Sequence, residues 1–184
     1  MKFLKKLSVF LGFTILILLV ARFLLLPHIF PKRYQAYVEQ YAEKYLLESS
    51  FVYAVIFTES HFRPDAVSPK NAKGLMQITD KTGQWGAEAI GRSYSDKVLF
   101  DPEANIEIGC WYMNKLMVQF HDKEETVLAA YNAGSGNVSK WLADEKYSDD
   151  GLSLKEIPFG ETKRYVKKVL ITKKIYEVLY GREY

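Results

Sequence analysis

The chain has 184 residues, 48% apolar and 26% charged, with one cysteine and a formal net charge of +3. That apolar content excludes a disordered chain, the charged content excludes a wholly membrane-embedded one, and the length fits one domain with a short appendage. Residues 1–26 carry Lys2, Lys5, Lys6 and Arg22 and no acid, whereas the remainder holds 21 bases against 22 acids, so no globally basic surface for nucleic acid is indicated.

Leu7 to Ala21 is an almost unbroken apolar run, followed by Arg22 and then Phe23 to Leu26. At about 20 residues it is near the length a helix needs to cross a ~30 Å hydrocarbon core. The lysines before it read as a cytoplasmic flank with the rest of the chain exported. Arg22 lies where a long side chain can snorkel to the interface. Three readings compete: an uncleaved anchor, a cleaved signal peptide and a buried core helix. No small-residue processing site follows Leu26, which favours the anchor. Pro27 and Pro31 then end the helix. The expectation is a single-pass N-terminal transmembrane helix within residues 1–30 and a domain over residues 31–184 on the outer face of the cell membrane.

The exported part is helical in pattern nearly throughout. Tyr34, Tyr37, Val38, Tyr41, Tyr45 and Leu46 recur at three and four, predicting an amphipathic helix over 33–47. Ser49 or Ser50 can cap a second helix to about His61. Its Phe51–Phe57 run is apolar on nearly every side, which places it centrally in the core. Residues 62–78, with Pro64, Pro69, Asn71 and Gly74, read as a loop with room for a small β-ribbon. Thr79 can cap a short helix ending by Gly91. Asp101-Pro102 opens a helix to about Phe120. Asp122 with Glu125 makes a capping box for a helix through Tyr131. Asn132–Gly136 breaks it, a short helix carries Trp141, and a last helix runs from about Glu161 to Tyr180.

Two single residues stand out. Cys110 falls on the stripe Ile106, Cys110, Met113, Met117, Phe120 and reads as a small buried hydrophobe. One cysteine makes no internal disulfide. Glu59 sits near the C-terminal end of the strongly apolar second helix. Burial and the negative end of the helix dipole both disfavour its carboxylate and push its pKa upward. A general acid needs that shift to be protonated near neutral pH. A solvent-facing helix-terminal glutamate is the alternative on position alone.

The surroundings of Glu59 are more specific. Glu59-Ser60, then Ser68 and Gly74-Leu75-Met76-Gln77, then Asp101-Pro102 with Asn105-Ile106 and Gly109, then Ala129–Gly134, then Pro158-Phe159 with Glu161-Thr162 and Tyr165-Val166 form five ordered motifs. In this the chain resembles the soluble-type lytic transglycosylases, whose catalytic domain is related to goose-type lysozyme, over roughly residues 36–180. The resemblance implies a mainly α, lysozyme-like fold with Glu59 catalytic. One departure falls in the loop, where Asn71-Ala72 stands in place of the family's usual Gly-Ala. Asn tolerates left-handed backbone better than other non-glycine residues, so the turn is expected to be kept.

The remaining motif residues are candidates for substrate binding. Gly74 lets backbone approach a ligand. Leu75 and Met76 offer apolar contact to a sugar face, with core packing as the alternative for Leu75. Gln77 can donate to and accept from a sugar. Ser60, Ser68, Tyr131 and Asn132 lie in the matching motifs, Tyr131 as a holder of the carboxyl or the N-acetyl group and Asn132 more as a shaper of the turn. Glu161 either lines the cleft or favours the N-terminus of the last helix. Lys163, Arg164, Lys167, Lys168, Lys173 and Lys174 form a basic run, read as a solvated face or as attraction to anionic wall polymers or lipid head groups.

The resemblance also implies the chemistry. Paired-carboxylate glycosidases set two acids roughly 5–5.5 Å or 6.5–9.5 Å apart, and only Glu59 is a strong candidate here. One acid suffices if the sugar's own 6-hydroxyl is the nucleophile, closing a 1,6-anhydro ring on MurNAc at its β-1,4 bond to GlcNAc. A water-using muramidase of the same fold and a non-catalytic glycan-binding module are the alternatives. Peptidoglycan strands, the membrane through the N-terminal helix, and cell-wall or secretion machinery are the implied partners. No cofactor or metal is implied: the three histidines are far apart, with no His-Glu-x-x-His and no Ca-loop pattern.

Overall fold

The computed structural model describes residues 2–95 and 97–181. Met1 and Arg182–Tyr184, the outer ends of the two expected segments, lie outside them. The chain divides into two compact units, Met1–Arg33 and Tyr34–Tyr184.

In the first unit, helix α1 (Lys2–Val20) passes into a π-helical stretch, Ala21–Leu25, and then α2 (Leu26–Ile29). Leu7, Phe10, Leu11, Phe13, Leu16 and Leu18 are all exposed. The transmembrane helix expected here is not met as one α-helix. Among the described residues, no helix is long and apolar enough to cross a membrane. The α-helical apolar part of α1 runs from Leu7 to Val20, roughly 21 Å at 1.5 Å per residue, short of a ~30 Å core. Beyond Val20 the wider π-turn takes over.

The second unit is built around α4 (Ser49–Ser60), the predicted all-round apolar helix. Phe51 to Ile56 are buried on every side of it, each large side chain contributing roughly 1.5–3 kcal/mol of transfer free energy. It packs chiefly against α9 (Gly160–Tyr180), with α3 (Gln35–Lys44) on its other flank. A second layer has α6 (Pro102–Gln119) touching α3, α5 (Asp80–Ala89) and α7 (Glu124–Ala133). Helix α8 (Ser135–Leu142) packs on α7, which also meets α9. His61 and Phe62, at φ 51° and 62°, turn the chain out of α4 into the loop. The expected β-ribbon is reduced to two isolated antiparallel bridges, Val67 with Lys73 and Lys73 with Ile78.

The predicted caps are met at two helices and fail at two. The Thr79 hydroxyl and the Asp101 carboxylate accept the N–H of Thr82 and Ala104, closing α5 and α6. Asp122 does not cap α7: its φ is +57°, in the left-handed region, while a cap residue needs extended backbone, and Lys123 takes the place instead. At α4, Glu48 stands at the cap position and Ser49 and Ser50 are buried in the first turn. The N-terminus there is tied by charge. Lys173 of α9, only 8% exposed at its side chain, pairs with Glu48 at 3.2 Å, with Glu124 of α7, and with Glu177 at 3.9 Å. Lys173 thus departs from the solvated basic run. It lies on the buried face of α9 with Thr172 and Tyr176, and its amine sits 5.2 Å from the Phe51 ring centroid. Burial alone would lower its pKa, but Glu124 and Glu48 raise it above the ordinary value.

Candidate active site

Glu59 lies in the last turn of α4, half-buried. Burial raises its carboxyl from the ordinary 4.5 to about 7, against opposing contributions from the Tyr165 hydroxyl and the Lys168 ammonium on α9. No other acid is among the causes of that shift. The helix end adds in the same direction, since the unpaired carbonyls of a C-terminus disfavour negative charge. Tyr165 is buried and its hydroxyl makes no close hydrogen bond among the described residues. Burial first, and then Glu59 and Tyr131, raise its pKa well above the ordinary value. The Tyr131 phenol of α7 is raised the same way, by burial and then by Glu59. Three helices thus converge on one carboxyl: α4 supplies it, and α7 and α9 each set a phenol near it.

The loop 66–78 forms the fourth side and is held by buried polar joints. Ser60 Oγ, fully buried, donates to the Leu75 carbonyl at 2.7 Å. Tyr131 Oη donates to the Met76 carbonyl at 2.8 Å. Asn105 of α6 accepts the Met76 N–H at 2.8 Å and donates to the Lys73 and Leu99 carbonyls at 3.0 and 2.8 Å. Gly74 has φ +75°, and a Cβ there would meet the Leu99 carbonyl at 2.1 Å and Asn105 Nδ2 at 2.3 Å. Gly109 of α6 leaves the space that Met76 fills, a Cβ there meeting its sulfur at 2.2 Å. Asn71 adopts φ +61°, so the altered turn is kept.

These contacts redistribute the roles expected from sequence. Leu75 and Met76 have no exposed surface; they anchor the loop, and as they stand neither offers a face to a sugar. Gly74 lets the loop approach Leu99 and Asn105 closely. Ser60 is a joint between helix and loop. Ser68 accepts the Ala72 N–H at 3.0 Å, and Asn132 accepts from Thr162 at 2.7 Å, tying the end of α7 to α9. Gln77 donates to the Ala66 and Gly74 carbonyls but stays half-exposed. Glu161 is 68% exposed at its side chain and lies 3.7 Å from Lys70, so it sits in solvent at the start of α9. Glu59 and Tyr131 are therefore brought together, while Ser60, Gly74, Leu75 and Met76 support them from behind.

Tyr165, Lys168 and Asn105 were not singled out as site residues. Tyr165 and Asn105 both stand inside the motifs noted above, and a buried polar side chain within a motif is the signal that was available. Cys110 is buried as expected, its thiol pushed up by burial and by Glu107. Among the described residues no group of histidine, cysteine or acid is placed to hold a metal ion.

The sequence model of a family described as "Transglycosylase SLT domain" matches residues 36–153. The chain is 36% identical over 155 residues to the soluble lytic murein transglycosylase of Escherichia coli K12, covering 83% of this chain and 24% of that protein. It is 33% identical to the membrane-bound lytic murein transglycosylase C of Pectobacterium atrosepticum, covering 83% of this chain and 50% of that one. The chain thus spans about a quarter of the soluble relatives' length and half of the membrane-bound ones'. Among solved structures, the 70-kDa soluble lytic transglycosylase of Escherichia coli superposes with a TM-score of 0.74 at 30% identity, over 86% of this chain and 28% of that one. An inactive glutamate-to-glutamine mutant of lytic transglycosylase Slt from Pseudomonas aeruginosa gives 0.72 at 31%, over 84% and 25%. The mainly α, lysozyme-like fold expected from sequence is the fold these structures share with the chain.

Proposed function

The chain belongs to the transglycosylase SLT domain family, and on that premise we propose that it is a lytic transglycosylase cutting the β-1,4 bond between MurNAc and GlcNAc in peptidoglycan, with Glu59 as its acid and then its base. The observation that carries the reading is the carboxyl itself, which burial holds at about 7. At that value it can donate a proton near neutral pH and take one back in the next step. Glu59 protonates the glycosidic oxygen as the C1–O bond breaks. As carboxylate it then removes the proton from the MurNAc 6-hydroxyl, whose oxygen bonds to C1. The proton count closes without water, and the product ends in a 1,6-anhydro ring. Attack from within the same sugar gains its rate from proximity. Tyr131 and Tyr165 stand near the carboxyl, and Gln77 and Asn132 border the bound strand.

Mass analysis of products from purified peptidoglycan tests this. Anhydro ends, one water lighter than hydrolysis products, are expected. Glu59→Gln should lower turnover by at least about 100- to 10,000-fold, the usual range for a general acid–base group, while glycan binding survives. Reducing ends would identify a muramidase instead. Binding without cleavage by the wild-type chain would identify a glycan-binding module.

The unit Met1–Arg33 supports a second element of the proposal, attachment to a membrane with the catalytic unit outside. Its exposed leucines and phenylalanines need an apolar surrounding, and the relatives include proteins named membrane-bound. The helical path continues past Val20 through the π-stretch and α2 to Ile29. The N-terminus of membrane-extracted protein is expected at the start of the chain. A form beginning beyond Pro27 and free in the medium would overturn the anchor.

A further inference from the structure

Trp85 of α5 is 51% exposed. A single exposed apolar side chain is ordinary on a protein surface and by itself carries nothing. Trp85 is not single. Its ring packs edge-to-face with the buried Trp111, centroids 4.6 Å apart, and lies 6.4 Å from Tyr112. Tyr112, half-buried on α6, stands 5.6 Å from Tyr131, whose hydroxyl holds the Met76 carbonyl. The row Trp85, Tyr112, Tyr131 therefore leads from an exposed indole on α5 across α6 to the phenol beside Glu59.

A pyranose ring has an apolar C–H face and a rim of hydroxyls. It can lay that face on an aromatic ring and keep the hydroxyls in water. Indole offers the largest flat apolar surface of any side chain, and aromatic side chains with an apolar body suit ligands that are half wet. Trp111 fixes Trp85 in advance, so little rotamer freedom is lost when a ligand arrives. We infer that Trp85 is the stacking platform of a saccharide subsite set apart from the cleavage point, holding a distal sugar of the strand that Glu59 cuts, with Tyr112 between the two. This rests on the reading of the site as one for peptidoglycan glycan. The consequence is selection for length: a fragment filling only the sugars at Glu59 does not reach Trp85, and a longer strand does.

The test titrates the full-length Glu59→Gln protein with soluble GlcNAc–MurNAc disaccharide and with longer oligomers of the same repeat, following binding by isothermal titration calorimetry. Longer oligomers should bind more tightly. Adding Trp85→Ala should weaken them roughly tenfold, within the range of ring stacking on an aromatic side chain, and leave the disaccharide unchanged. Trp85→Tyr should recover most of the loss. With Glu59 intact, Trp85→Ala should raise KM for long strands with kcat retained. Trp85→Gln, which removes the ring but keeps a stem, carries the same expectation should Trp85→Ala not fold. Unchanged affinity for long oligomers would overturn the inference, as would equal losses for short and long, the mark of a merely structural role. The two readings fail separately. Anhydro products from the wild-type chain with no length-dependent loss in Trp85→Ala would sink only the subsite. Reducing ends would sink the transglycosylase reading whatever Trp85 does, and failure of every oligomer to bind would sink both.

Discussion

Glu59 is expected to cost the fold stability at the pH where it is useful, and Glu59→Gln exposes that cost. The carboxyl titrates at about 7 in the folded chain against an ordinary 4.5. Because the folded value is the higher one, the folded state binds more protons between those limits. Stability contributed by the neutral carboxyl is therefore full below about 4.5 and is lost as pH rises through 7. At 1.36 kcal/mol per pH unit the full shift corresponds to about 3 kcal/mol, and residual solvent access to a half-buried side chain brings the expectation to roughly 2–3 kcal/mol. Glutamine keeps the shape of the neutral acid and carries no charge at any pH. The two proteins should thus unfold alike near pH 4, and Glu59→Gln should be the more stable by that amount near pH 8.5. Urea unfolding followed by far-UV circular dichroism reads it as a midpoint gap that opens with pH, about 1–1.5 M at a slope of order 2 kcal/mol per M. A gap that stays constant from pH 4 to 8.5 would refute a buried, proton-holding Glu59, and with it the acid step. The same titration should appear in wild-type kcat/KM as an alkaline fall near pH 7.

Other outcomes follow from the same contacts. Asn105→Ala leaves the Met76 N–H and the Leu99 carbonyl without their Asn105 partner in the interior, while the Lys73 carbonyl keeps the Ile78 N–H, so a loss of about 2–4 kcal/mol is expected in urea midpoints, with faster proteolysis of loop 66–78. Lys173→Met removes the cation shared by Glu48 and Glu124, while Glu177 keeps Lys174, and should cost about 2–3 kcal/mol in urea midpoints near pH 7. Cys110→Ala should lower stability by about 1 kcal/mol and leave activity near wild type, and the native thiol should resist labelling until the chain unfolds.

Much of the fold was legible because helices of one layered core repeat their apolar residues at a fixed period. Asp101-Pro102 and Thr79 start helices where local chemistry alone says they should. The failures share a cause. Asp122 and Glu125 have the spacing of a capping box, but the left-handed turn at His121 and Asp122 follows from how α6 hands over to α7. Lys173 reads as one more surface lysine until α9 is laid against α4 and α7. Met76 follows Gly74-Leu75 in a loop and reads as available. Its partners, Asn105 and Gly109, are about 30 residues away and invisible to any local window.

The site divides along the same line. What was visible is the acid and the physical reason for its shift: an apolar run so complete that a glutamate in its last turn is drawn into surroundings of low polarity. What was not visible is how that acid is kept in place. Neither Ser60, Asn105 nor Tyr131 bonds to Glu59 itself; each bonds to the loop carbonyls or N–H of residues 73–76. The motif containing Gly74–Gln77 is therefore best understood as a braced loop, in which the Gly74 and Met76 N–H groups and the Lys73, Leu75 and Met76 carbonyls are all engaged, so that it is slow to relax and admit water. Burial by apolar side chains alone would raise the pKa as well, but a loop free to move would admit water and let it fall. Fixing the loop by buried hydrogen bonds keeps the environment low in polarity, and it leaves the Tyr165 hydroxyl as a buried polar group near the acid with no close hydrogen bond among the described residues. That accounts for motif residues with no exposed surface in the neighbourhood of the proposed acid: they hold its surroundings, while Tyr131 bonds the loop at Met76 and lies near enough to Glu59 for that carboxylate to raise its pKa.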